Sequence, residues 1–149
     1  MAELAVYKNE NRDEKKYIVF NISKENYGID ISSVNSIIEM PQITNVPRSP
    51  EYYRGIINLR GEIIPVISLR RKMSLEDDTF TSSSRIIITD IEDDKQVGLI
   101  VDEVKEVVAI PDEEIKEPSP FLKGSDSLIK GVGQKDDDLI SVFNLDVLV

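Results

Sequence analysis

The apolar residues of this chain come in bursts that suit β-strands and are too short for ordinary helices. Tyr17 to Ile22, Ile56 to Leu59, Glu62 to Ile67, Arg85 to Ile91, Gln96 to Val101 and Leu139 to Leu145 are rich in isoleucine, valine and aromatic side chains, and turn-forming residues separate them. Branching at Cβ favours extended backbone, and this punctuation breaks any long helical period. Tyr27 to Ile31 adds strict alternation, with Tyr27, Ile29 and Ile31 set against Gly28 and Asp30, the period of a half-buried strand. About eight to ten such segments at hairpin spacing predict an all-β architecture of small barrels or a sandwich and argue against a parallel βαβ sheet.

The connections refine this reading. Ser23 to Asn26 joins the first two strands into a hairpin, and Arg60-Gly61 is a tight two-residue turn in which glycine accepts positive φ and Arg60 projects into solvent. Pro65 lacks an N–H, which implies an edge strand or a bulge on the returning strand, and an edge is where a partner docks. Glu92 to Lys95 closes another hairpin, continued by Val104 to Ile110, and Lys135 to Asp138 closes a last one. Short helices are expected in two places. One is capped by Ser32 or Ser33, carries Val34, Ile37 and Ile38, and stops at Pro41; the other starts at Ser49-Pro50-Glu51 and ends near Gly55. Asp146 is a third cap for a brief closing helix. Residues 1–15 read as a flexible tail, Ser74 to Ser84 as a mobile loop, and Pro111 to Ser127, with Pro118, Pro120 and Gly124, as another loop.

Composition removes most chemistry. Cysteine and histidine are both absent, so disulfides, thiolate or imidazole metal sites and histidine-based triads cannot be built. No apolar run approaches the roughly 20 residues of a membrane span, and the first residues lack a signal-peptide core, which points to a cytoplasmic location. The net charge of −10 opposes nucleic-acid binding. Yet Arg48 to Lys72 carries a local charge of +4 within this acidic chain, a candidate surface for an acidic protein partner or else a scatter of solvated arginines. The acidic clusters at Asp77-Asp78, Glu92 to Asp94 and Asp136 to Asp138 lack the spacing of a calcium loop and read as solvated turns. Two other functions fit the sequence less well. A hydrolase using paired carboxylates needs a substrate cleft for which the sequence gives no sign, and a barrel that binds nucleic acid conflicts with the charge and the sparse aromatic content.

Tyr27 to Ile31, then Val34, Pro47 and the run from Gly55 to Ile67 resemble the CheW-like domain of chemotaxis proteins, and Asn58 to Gly61 is the most specific part of the match. The blocks Val97 to Val104, Gly131 to Gly133 and Leu139 to Leu145 extend the resemblance over residues 16–149, read as one CheW-like domain. The resemblance implies two packed, five-stranded, SH3-like β-barrel subdomains with short helical turns. It implies no enzymatic activity and no cofactor. The implied partners are the regulatory domain of the kinase CheA and the cytoplasmic tips of chemoreceptors, at receptor arrays on the inner face of the membrane. Because the kinase domain is a structural relative, alternating contacts between homologous domains are implied to close into rings. The same domain also occurs within the kinase and in fusions to a receiver domain; Met1, the tail-like start and the length favour a stand-alone coupling protein.

The resemblance makes Arg60, Val34 and Ile31 the partner-binding residues. Arginine suits the role because its planar fork pairs with acceptors and tolerates desolvation. The plainer readings stay open: Arg60 as a solvated turn residue or a brace between the barrels, and Ile31, Val34, Ile37 and Ile38 as core, with one or two of the four exposed and Ile37 the surest core residue. Gly55, Gly61 and Gly133 are expected to serve backbone geometry. Two positions depart from the family pattern, Ser68 where an aspartate is common and Ser36 where a glutamate is, which weakens the inference of kinase contact near Ser36.

Overall fold

The computed structural model describes residues 15–91, 94–117 and 128–147. The tail, the Glu92-Asp93 turn, and Pro118, Pro120 and Gly124 of the later loop lie outside them. The strands are β1 (Lys16–Ile22), β2 (Glu25–Asp30), β3 (Val34–Glu39), β4 (Tyr53–Leu59), β5 (Glu62–Ser68), β6 (Arg85–Ile91), β7 (Lys95–Val101), β8 (Glu103–Ala109), β9 (Ile129–Lys135) and β10 (Asp138–Phe143). They form two five-stranded sheets, in the orders β8-β1-β2-β10-β9 and β3-β6-β7-β5-β4, so the all-β class and the division into two five-stranded subdomains are as expected.

The first unit draws its strands from both ends of the chain, and the second is the middle segment, Val34–Val104. In the first, Tyr17, Val19, Val108, Ile110, Ile140 and Val142 form a buried cluster with Ile115 packed on it. On β1 the residues between these point the other way, and Phe20 stacks on Tyr27 and Phe143. Gly133 leaves space for Ile110, since a Cβ there would meet Ile110 Cδ1 at 2.9 Å; close approach, not positive φ, is its reason. In the second unit Ile57, Ile64, Val66, Ile86, Ile88 and Ile100 form the core. Each such side chain contributes about 1.5–3 kcal/mol on burial, which is what holds sheets this small together.

Both expected internal helices are absent. Asp30 Oδ1 accepts the N–H and the hydroxyl of Ser32, which tightens Ile31–Ser33 into one 3₁₀ turn. From Val34 the chain is strand β3, paired with β6. A bulge between Val34 and Ser36 sets Val34 opposite Thr89 and Ser36 opposite Ile88, which breaks the alternation and makes Val34, Ile37 and Ile38 look helically spaced. Near Ser49, the hydroxyl donates to the Val46 carbonyl and the Tyr53 N–H to the Pro50 carbonyl, a single turn that feeds straight into β4. Four residues of favourable helix signal do not offset the cost of nucleation.

Pro65 is not on an edge. Strand β5 lies between β4 and β7, but its ladder with β7 starts at Val66, so the missing N–H falls before the pairing begins. The bulge lies in the facing strand, between Tyr53 and Gly55. The continuation of β7 into β8 crosses from one sheet to the other. A helical turn that was not anticipated, Leu69–Lys72, follows β5, and the chain's last described turn, Leu145–Val147, is 3₁₀ with Asn144 rather than Asp146 as the capping side chain.

Candidate functional site

The β4–β5 hairpin ends in the tightest connection available to two strands. Leu59 pairs with Glu62, and the two residues between them have positive φ, 54° at Arg60 and 87° at Gly61. Both values belong to a type I′ turn, whose twist matches that of the strands. Gly61 has nothing within 4 Å of where a Cβ would stand, so its φ alone accounts for the glycine. The side chain of Asn58 closes the turn by accepting the Gly61 N–H at 3.0 Å. Arg60 is exposed at the tip and forms no ion pair among the described residues.

Register decides what lies beside it. Ile57 opposite Ile64 faces the core, which leaves Asn58 opposite Ile63 and Ile56 opposite Pro65 on the outer face. Ile63 is 59% exposed, an unusual position for a large aliphatic residue in mid-strand. The hairpin therefore presents an arginine above an apolar outer face.

Its base is anchored by Gly55. The backbones of Thr44 and Ile56 exchange both hydrogen bonds, at 2.9 and 2.8 Å. Gly55 has φ +144°, and a Cβ on it would stand 2.1 Å from the Thr44 carbonyl oxygen. Only glycine permits this crossing, so Gly55 and Gly61, expected to serve backbone geometry, each have a physical cause.

Ile31 and Val34 are not exposed. Their side chains are 5% and 0% accessible, while Ile37 and Ile38 are the half-buried ones, the reverse of the sequence expectation for Ile37. The bulge at β3 is again the reason, because it moves the outward positions along by one. Ser32 and Asn35, beside the two buried residues, are exposed, and Ser36 is partly so.

The second feature was missed from sequence. Segment 74–84, expected to be a mobile loop with solvated acids, is pinned to the second unit by its carboxylates. Arg71 pairs with Asp77 through two hydrogen bonds, Nε at 2.8 Å and Nη2 at 2.9 Å, and Arg54 Nη1 stands 3.4 Å from both oxygens of the same carboxylate. The hydrogen bonds from Arg71 hold the Asp77 carboxyl far below the usual range, so it stays ionised and is no general acid. Half-buried Asp78 accepts the Ser68 hydroxyl at 2.6 Å, and burial raises its pKa. Arg70 pairs with Asp102 at 2.6 and 3.1 Å. Ser68 also caps the turn Leu69–Lys72 by accepting the Arg71 N–H. At Ser68, where the resemblance leads to the expectation of an aspartate, the hydroxyl instead engages a carboxylate supplied by the loop.

This arrangement divides the basic island. Arg54, Arg70 and Arg71 are committed to aspartates, and the Lys72 ammonium sits 3.8 Å from the centre of the Tyr52 ring. Arg48 and Arg60 are the exposed members. The available signal was the adjacency of Arg70-Arg71-Lys72 and Glu76-Asp77-Asp78, opposite charges joined by a short connection. Among the described residues no group of three or more acidic side chains is placed to hold a metal ion, and no helix is long and apolar enough to cross a membrane.

The fold and the presented hairpin together define a small all-β binding module of two sheets. Residues 16–149 match the CheW-like domain family, and the chain belongs to that family. The chemotaxis protein CheW of Bacillus subtilis is 33% identical over 136 residues, covering 91% of this chain and 86% of that protein. The CheW of Thermotoga maritima is 31% identical over 139 residues, covering 91% and 88%. In three dimensions the chain is similar to the crystal structure of the scaffolding protein TtCheW from Thermoanaerobacter tengcongensis, with a TM-score of 0.82, 38% identity, and coverage of 88% of this chain and 89% of that one.

Proposed function

We propose that this chain is a chemotaxis adaptor that couples chemoreceptors to the histidine kinase CheA, acting by adhesion and carrying out no reaction of its own. The observation that carries the reading is the family match across residues 16–149, which includes the whole Arg60 hairpin. Arg60 contacts a partner directly. Its turn is fixed by Asn58 and Gly61 and anchored at Gly55, so little order has to be gained on binding. Ile31 and Val34, being buried, act one step removed: each holds the backbone of its own unit beside an exposed residue, Ser32 in the first and Asn35 in the second, that reaches a partner.

The partner surfaces are the regulatory domain of the kinase and the cytoplasmic tips of the receptors, which places the chain at receptor arrays on the inner face of the membrane. Alternation with homologous kinase domains closes into rings. Signal then passes as differential binding, because receptor states that favour different arrangements of a multivalent assembly shift the kinase's active population. The test is reconstitution of receptor fragments and CheA with and without this chain. Receptor-controlled kinase activity that depends on the chain is the expected result, and activity indifferent to it would remove the proposal.

A further inference from the structure

Two guanidinium groups from separate elements converge on one carboxylate in the second unit. Arg71 follows β5 and Arg54 lies in β4, and both face Asp77. The site is shallow and open, lined by Glu51, Arg71, Ser74, Leu75 and Asp77. Arg71 is held from behind by donating from Nη1 to the Glu51 carbonyl at 3.1 Å. Phe80 covers Arg54, its ring centre 5.1 Å from the guanidinium carbon. The arginines are thus positioned by contacts other than Asp77. The carboxylate they bind is more than half exposed and lies on a loop.

We propose that Arg71 and Arg54 form a recognition site for an acidic segment of a partner protein, and that Asp77 occupies it as an internal stand-in which such a segment displaces. Chemistry identifies the occupant, because a forked guanidinium seats a planar carboxylate with two parallel bonds, as Asp77 already demonstrates. Exchanging one carboxylate for another is nearly neutral in energy. A tethered group acts at about millimolar effective concentration, so a bare carboxylate competes poorly and the segment must add other contacts. Those are at hand in Leu75 and Phe80, exposed by 39% and 43% beside the arginines, which selects an acidic residue next to an apolar one. On release Asp77 also loses the Asp78 N–H it accepts at 2.8 Å, an exposed group that water then satisfies. This site lies at the base of the β4–β5 hairpin, at the opposite end from the Arg60 tip, and does not rest on the role of Arg60.

The experiment uses the full chain and a fluorescein-labelled pentapeptide in which a glutamate is flanked by leucines, read by fluorescence anisotropy. Asp77→Asn is expected to bind it about tenfold more tightly than the unaltered chain, the gain of removing a competitor at effective millimolar concentration. Arg71→Ala added to Asp77→Asn is expected to abolish the gain. Glu76→Gln, with the same change in net charge one residue away, is expected to give none. In the unaltered chain the Arg71 Nε–H resonance is expected to shift on titration with the peptide and not with its glutamine counterpart, a readout that needs no variant to fold. No gain in Asp77→Asn, a gain that survives Arg71→Ala, or an equal gain in Glu76→Gln would overturn the proposal.

Discussion

The side-chain oxygen of Asn58 accepts the backbone N–H of Gly61 at 3.0 Å, tying the last strand residue but one to the far side of a turn whose two central residues have positive φ. A type I′ turn leaves that N–H outside the strand ladder, and without Asn58 only water would bond it. The bond therefore restrains the tip that carries Arg60.

Asn58→Ala is expected to lower stability by about 0.5–1.5 kcal/mol, the usual net value of one hydrogen bond at a solvated site. Asn58→Asp keeps the acceptor and should lose less. Urea titration measures the stability, and amide exchange at Gly61 reports the turn: its protection should fall in Asn58→Ala and persist in Asn58→Asp.

Gly55→Ala should be far more damaging than Gly133→Ala. The first brings a Cβ to 2.1 Å from a backbone carbonyl at φ +144°, whereas the second meets only side-chain atoms of Ile110, Cδ1 at 2.9 Å and Cγ2 at 3.3 Å. A loss above about 2 kcal/mol is expected at Gly55 and about 1 kcal/mol at Gly133. In the Gly55 variant the Ile56 N–H, now bonded to Thr44, should exchange faster than in any variant at Gly133.

Tyr17 is buried in the first unit, and burial pushes its phenol up to about 12. A folded pKa above the unfolded one means that the protonated phenol favours the folded state. This contribution is complete below about pH 10, the unfolded value, and is lost as pH rises through the folded value. Chemical denaturation between pH 9 and 12 should show stability falling across that window, and Tyr17→Phe, which cannot ionise, should flatten the fall. An equal slope in the variant would assign the alkaline loss to other groups.

The strands and their turns were legible because they rest on local chemistry: β-branched bursts, the alternation of Tyr27 to Ile31, and glycine after Arg60. Strand pairing was not. Two of the pairings, β5 with β7 and β10 with β2, are parallel and join segments separated by other strands, and no local pattern encodes them. The two misread helices failed for a related reason. Their caps at Ser32 and Ser49 are real hydrogen-bonding residues, but the ladders offered to β3 and β4 outweigh a few residues of helix signal. Of the site, the role of Arg60 came from the resemblance, whereas Gly55 and Gly61 were expected to serve backbone geometry and acquire their physical reasons in the φ values and close approach. The lock between Arg71 and Asp77 was hidden, because acidic and serine-rich composition describes a loop without saying what it touches.

The account depends on Arg60 acting through contact and not through folding, and Arg60→Gly separates the two. Glycine at φ 54° relieves the strain of a left-handed non-glycine residue, so stability should stay level or rise by up to about 1 kcal/mol. Co-sedimentation of this variant with receptor fragments and CheA should nonetheless weaken by about tenfold or more, as befits a central arginine contact. A folded Arg60→Gly chain that co-sediments as well as the unaltered one would contradict the account.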